Sequence, residues 1–141
     1  MVTIEPPQLL GRLRHRRVVL GEGDLFNSDC ATRLVLDRIG DKWTVLVVLL
    51  LSDGPMRFSG LRTQLGAVAP KVLTQTLRRM ERDGLVTREI FAEVPPRVEY
   101  TLTELGRSLT GPIAVIGDWA ETHLGQITAA QAAYDDARDG I

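Results

Sequence analysis

The chain has 141 residues, of which 44% are hydrophobic and 25% charged, and a formal net charge of −1. That is one ordinary globular domain, or one domain with extensions, whose core is real but not large. Surplus apolar helix surface on such a chain would point to an oligomer.

The total charge does not advertise nucleic acid, but its distribution does. From Arg57 to Arg97 there are eight basic residues against four acidic ones, and from Glu104 onward two against six. A polyanion responds to the local field, so the basic middle counts and the neutral total does not. One cysteine, Cys30, excludes an intramolecular disulfide and a Cys-pair zinc site within the chain, and suits a reducing, cytoplasmic setting. The longest apolar run, Val45 to Leu51, is far short of the roughly 20 residues that span a bilayer, so no membrane partner is expected. Leu9 and Leu10 run into arginines, which is not the pattern of a signal peptide.

Residues 1–28 read as an extension, with Pro6-Pro7 and a basic run of Arg12, Arg14, Arg16 and Arg17 around His15. It is either a flexible basic arm or a solvated tail. Asp29 to Ile39 fits a first helix carrying Leu34, Leu36 and Ile39, broken at Gly40-Asp41. Lys42 to Leu51 fits a second, apolar enough to be buried on most sides, and Ser52-Asp53-Gly54-Pro55 ends it. Met56 to Phe58 suits a very short strand. Ser59 is placed to cap a third helix with Leu61 and Leu65 at i, i+4 spacing, stopped by Gly66.

Pro70 suits the first turn of a fourth helix, which runs to about Asp83, with Gly84 as its stop. Leu85 to Ala92 reads as a strand, Val94-Pro95-Pro96 as a rigid tip, and Arg97 to Leu102 as the returning strand with Val98, Tyr100 and Leu102 on one face. Thr103 is a helix N-cap, and Gly111-Pro112 reads as an interruption of the last helical region. Ile113, Ile116, Trp119, His123, Leu124 and Ile127 keep helical spacing beyond it, and Ala129 to Asp139 either continues or frays. The expected architecture is mainly α with a small β-hairpin (α+β): a winged helix-turn-helix over residues 29–124, with a helical extension or tail over 125–141.

The fourth helix carries the chemistry. Lys71, Gln75, Arg78 and Arg82 fall in a narrow arc, with Leu73, Leu77 and Met80 about half a turn away. One face docks on a core and the other is built to meet a polyanion. Lys71 lies in the first turn, where backbone N–H groups also favour phosphate. Thr74, Gln75 and Arg78 have the reach for base edges in a major groove. Arg79 and Arg82 are set for phosphate or for acidic neighbours such as Glu81. Arg97, beside the proline tip, is a candidate for minor groove or phosphate, against a salt bridge within the hairpin. Ser59 and Arg62 are candidates for backbone phosphate. The alternative throughout is a solvated basic face.

The segment from Cys30 to Trp119, about two thirds of the chain, resembles the HxlR-type bacterial transcriptional regulators. The resemblance rests on Ile39-Gly40, Lys42-Trp43-Thr44, Gly54 with Arg57-Phe58 and Leu61, and Lys71 with Leu73-Thr74. It continues through Asp83-Gly84-Leu85-Val86 with Arg88, and through Pro95-Pro96-Arg97-Val98-Glu99-Tyr100-Thr101-Leu102-Thr103 with Gly106. The chain departs from the family pattern at Ala31, Asp41 and Ala69, where proline, glycine and serine are frequent.

The resemblance implies a homodimeric, sequence-specific DNA-binding regulator on a pseudo-palindromic operator of double-stranded DNA, a repressor by expectation. The first and last helices would make the dimer, which nominates Leu34, Ile116, Trp119, His123 and Leu124. It also implies that Cys30 is a redox-sensing candidate, since some members use that thiol. The thiol lies near a helix N-terminus with Arg33 one turn on, which favours thiolate, while Asp29 opposes it. Two other readings stand: a regulator answering a small apolar molecule instead of an oxidant, and a winged helix used to bind protein. His15 and His123 lack metal-ligand spacing, no catalytic constellation is present, and no cofactor, metal or enzymatic activity is expected.

Overall fold

The computed structural model describes residues 31–140. Cys30 and the basic run of residues 12–17 lie outside the described residues. The elements are α1 (Ala31–Gly40), α2 (Lys42–Leu51), β1 (Met56–Arg57), α3 (Phe58–Leu65), α4 (Pro70–Arg82), β2 (Val86–Phe91), β3 (Arg97–Leu102), α5 (Glu104–Ser108) and α6 (Thr110–Asp139). The expected α+β winged helix-turn-helix is what the chain forms. The hairpin gains a third strand: β1 pairs antiparallel with β3, giving the order β1-β3-β2.

Each helix boundary has a local cause. Asp41 is extended, and its carboxylate accepts from the Trp43 N–H at 2.9 Å and more weakly from Thr44, which starts α2 one residue after α1 ends. Pro70 opens α4 at a position whose N–H has no helical partner. At the other end Gly84 takes φ +75°, Leu85 N–H donates to the Met80 carbonyl at 2.9 Å and Gly84 N–H to Glu81 at 3.1 Å. That left-handed turn sends the chain straight into β2.

Two expectations about caps are corrected. Ser59 does not cap α3. Arg57 is the N-cap residue and makes no side-chain cap bond, because β1 pairing holds the chain extended to that point and the helix starts at Phe58. The interruption expected at Gly111-Pro112 falls two residues earlier, at Leu109 between α5 and α6; Gly111 and Pro112 lie in the first turn of α6, where a missing N–H costs nothing. The helix then runs unbroken through Leu124 to Asp139.

The core gathers one face of each element of the winged domain: Val47, Val48 and Leu51 of α2, Leu61 of α3, Leu73, Leu77 and Met80 of α4, with Val86, Leu102 and Ile113. The second helix is less enclosed than expected, since Leu49 is exposed and Trp43, Val45 and Leu50 are only partly covered. Gly106 is a tight point. A Cβ there would overlap the Leu85 carbonyl oxygen and lie 2.9 Å from Leu102 Cδ2. Thr103 joins the same corner: its hydroxyl donates to the Gly84 carbonyl at 2.6 Å and accepts from Gly106 N–H at 3.0 Å. The C-terminal end of α4 is thereby fixed to the start of α5.

Candidate nucleic-acid interface

α3, a short turn and α4 form the helix-turn-helix, and β2–β3 form the wing beside it. Buried Leu73, Thr76, Leu77 and Met80 seat α4 on the core. Lys71, Gln75, Arg78 and Arg82 are exposed on its other side. Among the described residues these four side chains make no hydrogen bond or ion pair. They leave a cationic surface with donors to spare. Ser59 and Arg62 are also exposed, on α3.

Not every candidate points outward in the same way. The Thr74 hydroxyl donates back to the Pro70 carbonyl at 2.8 Å, so it is engaged within its own helix. Arg79 lies on the flank of α4, with Nη1 3.7 Å from Asp41 Oδ2. Arg88 of β2 stands 3.5 Å from Glu81 on the opposite flank. Arg97 is held inside the hairpin: Nη2 is 3.3 Å from Glu93, Nε is 3.6 Å from Glu99, and the guanidinium stacks over the Phe91 ring at 4.0 Å. The intra-hairpin ion pair weighed for Arg97 from sequence is therefore present.

Three features escaped the sequence reading. Arg38 of α1 donates through Nε to Asp83 at 2.7 Å, across 45 residues. Asp41, a helix breaker by sequence, also caps α2 and faces Arg79. Tyr100 sits on β3 opposite Arg88 and in the field of Arg78 and Glu81; burial pushes its phenol above its ordinary value, with Arg88 and Arg78 pulling down and Glu81 pushing up. Asp41 followed by Lys42-Trp43-Thr44 carried a capping signal. The Arg38–Asp83 contact had none.

The dimer candidates are exposed residues of α1 and α6. Leu34, Ile116, Trp119 and Leu124 are each more than half exposed, and Val35, Leu36 and Ile127 are exposed as well. His123 stacks on Trp119 with ring centroids 4.6 Å apart, its Nδ1 2.8 Å from the Trp119 carbonyl. Of the 30 residues of α6 only Ile113 is buried. Between α1 and the body lies a largely apolar cavity of about 280 Å³, bounded by Leu34, Val35, Val45, Leu105, Leu109 and Ile113, with Arg38 and Asp83 at its wall. Among the described residues there is no cluster of metal-ligating side chains, and no helix is long and apolar enough to cross a membrane.

A helix-turn-helix followed by a two-stranded wing, to which a short strand ahead of the motif adds a third, with a cationic second helix, defines a winged helix-turn-helix protein. Residues 38–128 match the family described as HxlR-like helix-turn-helix, and the chain belongs to that family. It is 40% identical over 112 residues to the uncharacterised HTH-type transcriptional regulator YtfH of Escherichia coli K12, covering 79% of this chain and 89% of that protein. The solved structure of the transcriptional regulator ytfH from Salmonella typhimurium is 41% identical, with a TM-score of 0.73 over 79% of this chain and 99% of that one. The redox regulator HypR in its reduced form is 36% identical, with a TM-score of 0.65 over 70% of this chain and 97% of that one. The family is one of DNA-binding transcriptional regulators, not of enzymes.

Proposed function

We propose that two copies of this chain bind a pseudo-palindromic operator as a repressor, with α4 of each in a major groove. The observation that carries the reading is the two-sidedness of α4: Leu73, Leu77 and Met80 are sealed into the core while Lys71, Gln75, Arg78 and Arg82 are exposed and, among the described residues, unengaged. Lys71 holds phosphate at the helix N-terminus. Gln75 and Arg78 read base edges, Arg78 by a bidentate bond to guanine. Thr74 contributes its methyl group, since its hydroxyl is committed to Pro70. Arg79, Ser59 and Arg62 flank the groove and contact phosphate, and Arg97 shapes the wing.

The dimer rests on α1 and α6. A 30-residue helix with one buried side chain gains little from its own protomer, and helices of that kind are stabilised by packing an apolar face. Leu34, Ile116, Trp119, His123 and Leu124 supply that face. Half-sites about one helical turn apart follow from two α4 helices related by a two-fold axis.

Cys30 is the proposed redox element. The support is that HypR, a structural relative, is a redox regulator, and that a lone thiol can form a disulfide only with another molecule. The second reading, a small apolar effector, is favoured by the cavity between α1 and the body. Both are tested by titrating the reduced protein on DNA from directly upstream of its own gene, with excess competitor, before and after mild oxidant. Specific binding that oxidant abolishes, and that Cys30→Ser preserves under oxidant, is the expected result. Specific binding that oxidant leaves intact moves the input to a small molecule. Absence of specific binding there and in selection from random DNA rejects the DNA reading in favour of a protein-binding module.

A further inference from the structure

We propose that Arg38 and Asp83, with Asp41 and Arg79 beside them, are positioning residues that fix α1 against α4 and so set the half-site spacing the dimer accepts. The proposal rests on the reading above, in which α1 belongs to the dimer contact and α4 to the operator contact.

Among the described residues, α1 meets the winged domain most closely at its C-terminal end. Its side chains from Arg33 to Asp37 are exposed, and burial begins at Arg38 and Ile39. Along the rest of α1, a cavity of about 280 Å³ lies between Leu34 and Val35 on one side and Leu105, Leu109 and Ile113 on the other. Among the described residues, the ion pair that crosses from the last turn of α1 to α4 is Arg38–Asp83 at 2.7 Å, with side chains only 19% and 23% exposed. A charge-assisted bond of that length, partly shielded from salt, holds direction as well as distance. Asp83 is the C-cap residue of α4, its N–H donating to the Arg79 carbonyl, ahead of the Gly84 turn. One turn back on α4, Arg79 faces Asp41, whose other carboxylate oxygen caps α2.

The two pairs have opposite polarity. On the α1–α2 corner the order is Arg38 then Asp41; on α4 the partners are Asp83 and Arg79. Residues 79 and 83 are one helical turn apart, about 5.4 Å along the axis. If α4 slipped one turn in one direction, Arg79 would meet Arg38. In the other direction Asp83 would meet Asp41. Both slips bring like charges together, so the corner admits one register of α4. Two pairs of the same polarity would tolerate the slip.

The test uses the full chain and a DNA site selected by the wild-type protein from a random library. Versions of that site with the half-site spacer one base pair longer or shorter measure spacing preference. The wild type should favour its selected spacing by about tenfold or more over the altered ones, each mismatch of geometry costing contacts in one half-site. Arg38→Asp and Asp83→Arg should each reduce that preference to about threefold or less, and the double swap, which re-forms the pair but leaves both pairs with one polarity, should recover it only in part. Arg38→Gln and Asp83→Asn, which place no like charges together, should give the intermediate loss and serve if either reversal fails to fold.

A merely stabilising pair would shift the thermal midpoint and leave the spacing ratio at the wild-type value; that result in folded variants overturns the proposal. So does a double swap that stays indifferent to spacing after both reversals have lost it. A wild type that binds its site with no spacing preference overturns the proposal together with the dimer reading. A preference kept by wild type and variants alike overturns this proposal alone.

Discussion

The solvent face of α4 and the wing contain the same kinds of residue and use them in opposite ways. On α4, Lys71, Arg78 and Arg82 have no carboxylate within ion-pair reach among the described residues. On the wing, Arg88 is paired with Glu81 and Arg97 is held by Glu93 and Glu99. β-strand register also puts Glu89 directly opposite Glu99, so the wing has acidic residues on neighbouring strands. A count of cations along the chain treats the two regions alike. The field available to a phosphate differs, because a paired guanidinium has already given up much of its attraction.

The sharpest break in the comparison lies between the two faces of α4 itself. Leu77→Ala should cost about 2–5 kcal/mol of folding stability, because Leu77 is fully enclosed and its removal leaves a cavity. Gln75→Ala, two residues away on the exposed side, should stay within about 0.5 kcal/mol. Urea unfolding of both variants reads the contrast. Equal costs would mean that α4 is not seated as described.

The next test sets α4 against the wing on DNA. Arg78→Ala should weaken specific binding by about 1–3 kcal/mol and relax the choice of base at one position. Arg97→Ala should cost less than Arg78→Ala at the same salt, since Arg97 must leave two carboxylates to reach a phosphate. A wing variant that costs more than the helix variant would reverse the assignment. Lys71→Ala should weaken all sequences alike and reduce the slope of log affinity against log salt by about one. An unaltered slope would remove Lys71 from the phosphate contacts.

The parts legible in the sequence are those set by near neighbours along the chain. The ends of α2, the Pro70 start of α4, the Gly84 stop, the extent of β3 and the Thr103 cap all follow from residues within a turn of the feature they determine. The two-sidedness of α4 follows from spacing alone. What the sequence hid depends on distant partners. Ser59 lost its cap because β1 pairs with a strand far along the chain, Met56 against Tyr100 and Arg57 against Glu99. The state of Arg97 depends on strand register and on Phe91 across the hairpin. The Arg38–Asp83 pair joins residues that no local pattern relates.

Tyr100 stands where the two regions meet, and its titration reports on both. It lies on β3 opposite Arg88, and burial raises its phenol above the ordinary value of about 10. A raised value means that the folded protein holds the phenol proton more tightly than the unfolded chain does. The stability this supplies is complete below about pH 10 and is lost as pH rises through the folded value. Tyr100→Phe removes that alkaline loss, so the difference between wild type and variant in urea unfolding should change between pH 9 and about 11, in favour of the variant. A constant difference would show that the phenol titrates as it does in the unfolded chain. The charges on α4 then tune the same proton with known signs. Arg78 lowers the phenol value and Glu81 raises it, so Arg78→Ala should move the phenolate absorbance titration upward and Glu81→Gln downward. Phosphate bound at Arg78 cancels its charge and should act like the first substitution. An upward shift on adding DNA that Arg78→Ala abolishes would therefore place the polyanion on the α4 side of the seam.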